Sequence, residues 1–325
     1  MTISYTIENR GTNYIVPVLK AGVRIVDQSD KELINETRDI NSMLPGTAAD
    51  LGLIWNTGLN LPGEYTSSLE VRLDGKVVSS NSAAFSILPV TLVTGYIKAT
   101  PPVVIYGNQV LADYSAGNAG NMDIVGLPLR VLVLDPATQT VMNSFEDTLD
   151  LAIDGSVSGR VAFLTQGYGL KTYEVVLQYL HQGTAMHVAS TAFTVIDGAP
   201  PMVNIISPVA GRYYNAQFDL SVTAMDDISG VDRVQYRVDG GSWRLLPIAD
   251  SSSGRYSTTW IPEKIDEGPH TINFRAIDRA GNTSITLSTA VTIDLTPPDL
   301  TVSTLADGSW TNNEVLNVAG NAIDN

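Results

Sequence analysis

Cysteine is absent from the 325 residues, so neither a disulfide framework nor a thiolate metal site can form, and thiol chemistry is excluded. Basic side chains are scarce: 19 Lys and Arg stand against 34 Asp and Glu, a formal charge of −15. A surface of that sign cannot neutralise phosphates, which argues against nucleic acid and anionic headgroups as partners. Histidine occurs only as His181, His187 and His270, whereas a zinc or acid–base site needs two or three such groups converging on a pocket. Long apolar runs are missing too. None approaches the ~20 residues of a membrane span, so no membrane insertion is expected in this segment. The start, Met1-Thr2-Ile3-Ser4-Tyr5, lacks the charged and apolar regions of a signal peptide.

What is present is alternation. Apolar and polar residues take turns in short runs bounded by Gly, Asn, Asp and Pro, the period of half-buried strands. Val23–Val26, Leu129–Leu134, Val234–Val238 and Thr271–Ile277 are the clearest runs. Lys31 to Met43 is the one helix candidate, and Ile34, Ile40 and Leu44 suit a strand and its turn equally well. The fold class expected is all-β.

Internal repeats organise the rest. Tyr65 and Phe85 are 20 residues apart, as are Tyr173 and Phe193, while His270 and Val291 are 21 apart. Ten residues before each opening stands a large apolar side chain: Trp55, Phe163 and Trp260. Asn9-Arg10-Gly11 lies 109 residues before Asn118-Ala119-Gly120, and Gly46 lies 109 before Gly155, so the first two copies are one module. The third instead matches the tail, with Pro200-Pro201, Gly211 and Tyr213 recurring as Pro297-Pro298, Gly308 and Trp310, followed by Leu220/Leu316 and Val222/Val318. These registers predict four segments: residues 1–88, lacking a first strand; 89–197, of the same type; 198–295, of a second type; and 296–325, the start of a fourth domain. Both ends read as cuts through a longer polypeptide. The junctions Asp197-Gly198-Ala199-Pro200-Pro201 and Asp294-Leu295-Thr296-Pro297-Pro298 are short and stiffened by proline, which predicts an extended, semi-rigid rod.

Roughly seven short strands per ~100 residues, with turn signals every eight to twelve, is the pattern of an Ig-like β-sandwich. Tyr65 and Tyr173 fall where such a sandwich places its tyrosine corner, and His270 takes that place in the third copy. That copy, with Asp226-Asp227-Ile228-Ser229-Gly230, Asp239-Gly240-Gly241-Ser242-Trp243 and Ala276-Ile277-Asp278-Arg279-Ala280-Gly281-Asn282, resembles the bacterial Ig-like modules repeated in large exported and surface proteins. The first two copies resemble more loosely the cell-adhesion-related Ig-like modules of bacteria. The resemblance implies a spacer or adhesion array outside a bacterial cell and brings no catalytic residues with it.

One constellation invites a chemical hypothesis. In an Ig-like sandwich the Asp226–Gly230 and Asp278–Asn282 loops meet at the end where the chain enters, and Asp197 sits on the entering linker. Oxygens from Asp197, Asp226, Asp227, Asp278 and Asn282 would suit calcium, which takes six to eight hard oxygen ligands, at the junction of the second and third domains. Each of these side chains can also bond its own turn backbone, with Asp278 paired to an arginine. No other cofactor is expected. His181 and His187 flank a hairpin turn at Gln182-Gly183-Thr184, and Gly155-Ser156-Val157-Ser158-Gly159 has valine where a nucleophile elbow needs serine. Trp55 and Trp260 are expected in cores, whereas Trp243 and Trp310 are candidates for an exposed sugar-stacking ring. The function expected is therefore a non-catalytic structural or adhesion segment of a larger bacterial surface or secreted protein. The alternative is a carbohydrate- or protein-binding accessory module of an exported enzyme. The partners expected are neighbouring Ig-like domains and a cell-surface protein or polysaccharide.

Overall fold

The computed structural model describes residues 1–302, 308, 310, 312, 315 and 318–324. They form two compact units, Met1–Thr194 and Val195–Asn325. Among the described residues the one helical element is a single 3-10 turn, Lys264–Asp266. No helix there is long and apolar enough to cross a membrane.

The first unit holds two sandwiches. In the first, β1 (Thr2–Glu8) pairs with β4 (Ala48–Ile54). Facing them is a sheet in the order β3-β2-β5-β6, made of β2 (Leu19–Val26), β3 (Glu32–Ile40), β5 (Gly63–Leu73) and β6 (Lys76–Ile87). Alternation decides the inward face: Leu19, Ala21, Val23 and Ile25 are buried while Lys20 and Arg24 are exposed. The candidate helix at Lys31–Met43 is strand β3, with Ile34 opposite Ile25 and Ile40 opposite Leu19. Trp55, Tyr65 and Phe85 meet edge-on or stacked at centroid distances of 5.7 to 6.0 Å and close one end of this core.

The second sandwich repeats that plan and adds to it. Its strands are β7 (Val93–Thr100), β8 (Val103–Ile105), β9 (Gln109–Asn118), β10 (Ile124–Asp135), β11 (Thr140–Leu151), β12 (Ser156–Leu164), β13 (Thr172–His181) and β14 (Thr184–Ile196). They form sheets β12-β9-β7 and β11-β10-β13-β14-β8, so the first stretch of chain runs on one sheet as β7 and then crosses to the other as β8. Phe163, Tyr168, Tyr173 and Phe193 fill the position of the first sandwich's aromatic trio, each under 8% exposed. Burying rings of this size contributes roughly 1.5–3 kcal/mol each.

Asn9 and Asn118 do the same work in the two copies. Each is buried; each accepts the N–H of the glycine two residues on through Oδ1, and donates through Nδ2 to carbonyls across the loop. The correspondence of Gly46 with Gly155 needs correcting by one residue. The Gly46 N–H donates to Asn9 O as the Asp154 N–H donates to Asn118 O, so Gly46 matches Asp154. Both have the left-handed backbone the turn demands, φ 74° and 60°, which glycine adopts freely and aspartate tolerates.

The second unit holds β15 (Met202–Ser207), β16 (Tyr213–Tyr214), β17 (Phe218–Met225), β18 (Val231–Val238), β19 (Arg244–Leu246), β20 (Ile248–Asp250), β21 (Arg255–Trp260), β22 (Gly268–Asp278) and β23 (Leu287–Ile293). Their sheets are β15-β17-β21-β20 and β16-β23-β22-β18-β19. Here too the opening stretch splits, β15 lying antiparallel to β17 and β16 parallel to β23. Leu220, Val222, Val234, Ile272, Phe274 and Ile293 form the centre of its core, each no more than 1% exposed. Beyond it, β24 (Asp299–Val302) and β25 (Gly320–Ile323) make an antiparallel pair. Of the residues matched there by sequence, Leu316 lies outside the described residues, and Trp310 is 99% exposed.

Candidate functional site

Three loops of the second unit bring acidic side chains together. Asp197 comes from the segment before β15, Asp226 from the turn after β17, and Asp278 from the end of β22. One carboxylate oxygen from each lies within 4.8 Å of the other two. Asp197 and Asp278 are 4% and 2% exposed.

Local turns hold each of them. Asp226 Oδ1 accepts the N–H groups of Ile228, Ser229 and Gly230, at 3.2, 2.9 and 2.7 Å. Asp197 Oδ1 accepts Ala199 N–H at 2.8 Å, and its Oδ2 accepts Ser229 N–H at 3.2 Å, which joins the linker to the Asp226 turn. Asp278 Oδ1 accepts Asn282 N–H at 2.7 Å. Aspartates favour such turns because the short side chain imitates a backbone carbonyl. The expected alternative pairing of Asp278 with arginine is not what the fold contains, since the ion pairs among the described residues include none of the three. Carboxylates with oxygens no more than 4.8 Å apart repel one another wherever they carry like charge. The turn N–H groups offset part of that cost, and a divalent cation would offset more.

The other two residues proposed as ligands behave differently. Asn282 adjoins the cluster, but its Nδ2 donates to Asp278 Oδ2 at 2.8 Å and to the carbonyls of Asp197 and Ala199 at 3.2 and 3.4 Å. It staples the linker. Asp227 is exposed and outside the cluster, on the rim of an open groove with Pro200, Met202 and Ile228. Its neighbour Asp226 is held inward by the turn N–H groups of Ile228, Ser229 and Gly230 that its Oδ1 accepts.

A second staple escaped the sequence reading. Asn121, 5% exposed, accepts Val90 N–H through Oδ1 at 2.8 Å and donates to Leu88 O through Nδ2 at 3.0 Å. The residue at its place in the first copy, 109 earlier, is Thr12. That difference, beside an otherwise shared Asn-x-Gly turn, was the available signal.

The corner residues share one geometry. Tyr65 OH donates to Leu61 O at 2.6 Å, and Tyr173 OH accepts Gly169 N–H at 2.7 Å. His270 reaches four residues back in the same way, Nε2 to Asp266 O at 2.5 Å, while Nδ1 meets Asp239 Oδ2 at 2.6 Å. Burial pulls the imidazole pKa down, but the bonds to Asp239 and Asp266 outweigh it and the net shift is up. Only the imidazolium has a proton for both acceptors. His181 closes a hairpin opposite Thr184, with Gln182 and Gly183 as its two turn residues, and His187 is exposed on β14.

Trp55 is buried at 8% and Trp260 packs against Phe218 and the third core. Trp243 is not a bare platform: the guanidinium carbons of Arg237 and Arg275 stand over its ring at 4.6 and 4.2 Å from the centroid. A sugar would have to displace a cation–π contact to stack there. A surface depression lies on the outer face of the first sandwich, among Lys20, Arg24, Glu70 and Arg72. Its cations are already paired, Lys20 with Asp39, Arg24 with Glu32 and Arg72 with Glu70.

Residues 201–273 match the family described as bacterial Ig domain. No curated protein of similar sequence was found. Among solved structures, the chain is similar to the fibronectin(III)-like modules of Clostridium thermocellum CbhA, at 18% identity over 61% of this chain and 93% of that one, with a TM-score of 0.27. A three-domain immunoglobulin fragment of titin matches at 13% identity over 90% and 92%, with a TM-score of 0.36. The CARDB domain of a Pyrococcus furiosus protein, solved with di-metal ions, matches at 16% over 33% and 89%, with a TM-score of 0.26. Scores this low bear no functional argument. With the sheet pairing, the corners and the family match together, the chain is an all-β tandem of Ig-like sandwiches, and the sandwich at 202–293 matches the bacterial Ig family over most of its length.

Proposed function

We propose that this chain is a non-catalytic structural segment of a bacterial surface or secreted protein, a semi-rigid spacer that sets distance rather than performing chemistry. The observation that carries this reading is the treatment of the linkers. Asn121 fastens Leu88 and Val90, and Asn282 fastens Asp197 and Ala199, in each case with a buried or half-buried amide of the sandwich that follows. A linker left free would need no such bonds, whereas one that transmits orientation does. Pro200 and Pro201 restrict the second linker further. An acidic exterior of net charge −15 keeps such a segment soluble and repels similar neighbours.

Calcium at Asp197, Asp226 and Asp278 belongs to the same proposal. A cation there would join the linker to the β17–β18 and β22–β23 loops through hard oxygen ligands.

Spin or dye pairs placed on consecutive sandwiches test the spacer reading. The wild type is expected to give narrow distance distributions, broadened by Asn121→Ala on one side and Asn282→Ala on the other. Broad distributions in the wild type, or no response to either change, would refute it.

A further inference from the structure

We propose that the outer face of the third sandwich binds an extended acidic peptide, one that presents carboxylates on alternate residues to Arg237 and Arg275. Such a contact is separate from the spacer role and does not depend on it. Alternation places both side chains. The inward residues of β18 and β22 include Val234, Ile272, Phe274 and Ala276, each 0% exposed. Gln235 and Arg237 on one strand, and Asn273 and Arg275 on the other, therefore face outward.

The two arginines belong to matching cross-strand pairs. Arg237 is opposite Asn273, and Arg275 is opposite Gln235. Arg237 Nε donates to Asn273 Oδ1 at 3.3 Å, and Arg275 Nε donates to Gln235 Oε1 at 3.0 Å. Asn273 is itself held, its Nδ2 donating to Ser288 Oγ at 2.6 Å. The Trp243 ring beneath both guanidiniums orients them further. One N–H of each is thereby used, and the terminal Nη groups are left to bind.

Charge is the second observation. Arg10, Arg24, Arg38, Arg72, Arg130 and Arg160, all the arginines of the first unit, each have a carboxylate within 2.9 Å. Among the described residues, Arg237 and Arg275 pair with no carboxylate. The acidic side chains nearest to them along the chain are committed elsewhere. Asp239 accepts Thr271 N–H on Oδ1 and meets His270 on Oδ2, and Asp278 is buried in the three-loop cluster. In a chain of charge −15, two half-buried guanidiniums are thus held in place without a counter-charge.

The occupant follows from spacing and sign. The two cross-strand pairs are two residues apart, roughly 6.6 Å along the strands. Both Cζ atoms lie within 4.6 Å of one ring centroid, so they are at most about 9 Å from each other. Alternate side chains of an extended peptide share one face at the same two-residue step. A carboxylate meets a guanidinium through two parallel bonds, which an ammonium cannot offer. A densely charged polyanion would be repelled by the chain's overall negative field, whereas two carboxylates about a neutral residue bring only the charge that two arginines cancel.

The test is calorimetric titration of the full chain with a capped glycine–serine peptide carrying glutamate at two alternate positions. It is expected to bind at least tenfold tighter than an isomer with adjacent glutamates, whose side chains point opposite ways, and a glutamine version to give no heat. Arg237→Gln and Arg275→Gln should each weaken binding at least tenfold, and Arg275→Lys, which keeps the charge but not the fork, should fall with them. Arg233→Gln removes a cation already paired with Asp232 and should leave affinity within twofold. Hydrogen exchange at Val234 and Phe274 monitors the sheet in every variant, and the peptide isomers test the spacing on the unaltered protein. No binding at millimolar peptide, equal binding of the two isomers, or indifference to both glutamine variants would overturn the proposal. Tighter binding of inorganic phosphate or of a polyuronate would assign the arginines to another anion and overturn it equally.

Discussion

Removing the Asn118 side chain is the sharpest probe of what holds these sandwiches together. Asn118 is 3% exposed; its Oδ1 accepts Gly120 N–H at 3.0 Å, and its Nδ2 donates to the carbonyls of Met122, Leu151 and Ala152 at 2.8, 3.3 and 3.2 Å. An NH2 group has two protons, so the side chain is worth three good bonds. At about 1 kcal/mol each, with a further penalty for buried groups left unmet, Asn118→Ala should cost about 2–4 kcal/mol. Asn9→Ala removes the same three kinds of bond, but Asn9 is 7% exposed and Tyr14 O lies nearer solvent, so about 1–2 kcal/mol is expected. Asn118→Asp keeps the acceptor yet turns a carboxylate toward carbonyl oxygens, and at neutral pH it should cost more than alanine. A chain of several domains has no single unfolding free energy, so the assay is native-state hydrogen exchange resolved by segment. Val131 and Val133 report on the second sandwich, and Val234 and Phe274 serve as the internal reference. Exchange at the former should accelerate by roughly 30-fold to several hundred-fold, since 1.4 kcal/mol is a factor of ten. A change below threefold, or one shared by the reference segments, would refute the clamp.

The His270–Asp239 pair should make the third sandwich pH-dependent. Because the folded imidazole pKa is raised above its ordinary 6.5, its stabilisation is complete below that value and is lost as pH rises through the folded one. Melts between pH 5.5 and 8.5 should show this decline, and Asp239→Asn should flatten it; a rise with pH would be fatal. Calcium at a hundredfold excess over its dissociation constant should stabilise the second unit by about 2.7 kcal/mol, an effect absent from Asp226→Asn and Asp278→Asn. Identical melting and native mass in calcium and in chelator would dismiss the ion. Trp243→Ala removes two cation–π contacts and should cost about 1–2 kcal/mol in segments β18 and β22, without altering retention on any polysaccharide. Loss of a specific retention would instead support the accessory-module alternative.

Strand positions were legible wherever one face is buried and the other wet, as in β2, β10, β18 and β22. There the alternation is simply the pleat written in side chains. Edge strands are harder to read: between Asn35 and Asp39 both faces of β3 see water, and only pairing separates Lys31–Met43 from a helix. Repeats exposed the shared module but not the one-residue slip at Gly46 and Asp154, since a backbone conformation, not an identity, is what the turn preserves. The convergence of Asp197, Asp226 and Asp278 followed from sandwich topology. The outward turn of Asp227 and the donor role of Asn282 did not, for both depend on which atom of a side chain meets which backbone group. Asn118 was visible as part of a turn, yet its three-carbonyl grip joins residues over thirty positions apart, and spacing alone carries no such information.

The parallel contact of β16 with β23 has a mechanical corollary. Tyr213 and Tyr214 lie beside Thr292 and Ile293, reinforced by N–H donation from Thr292 to Arg212 O and from Asp294 to Tyr214 O. Tension applied at the two ends of this sandwich drags those strands in opposite directions along their length, so the bonds between them are loaded simultaneously in shear instead of parting one after another. A few main-chain contacts near the tyrosine pair thereby govern how fast the domain yields under load, a rate set by the barrier to rupture and not by the depth of the native well.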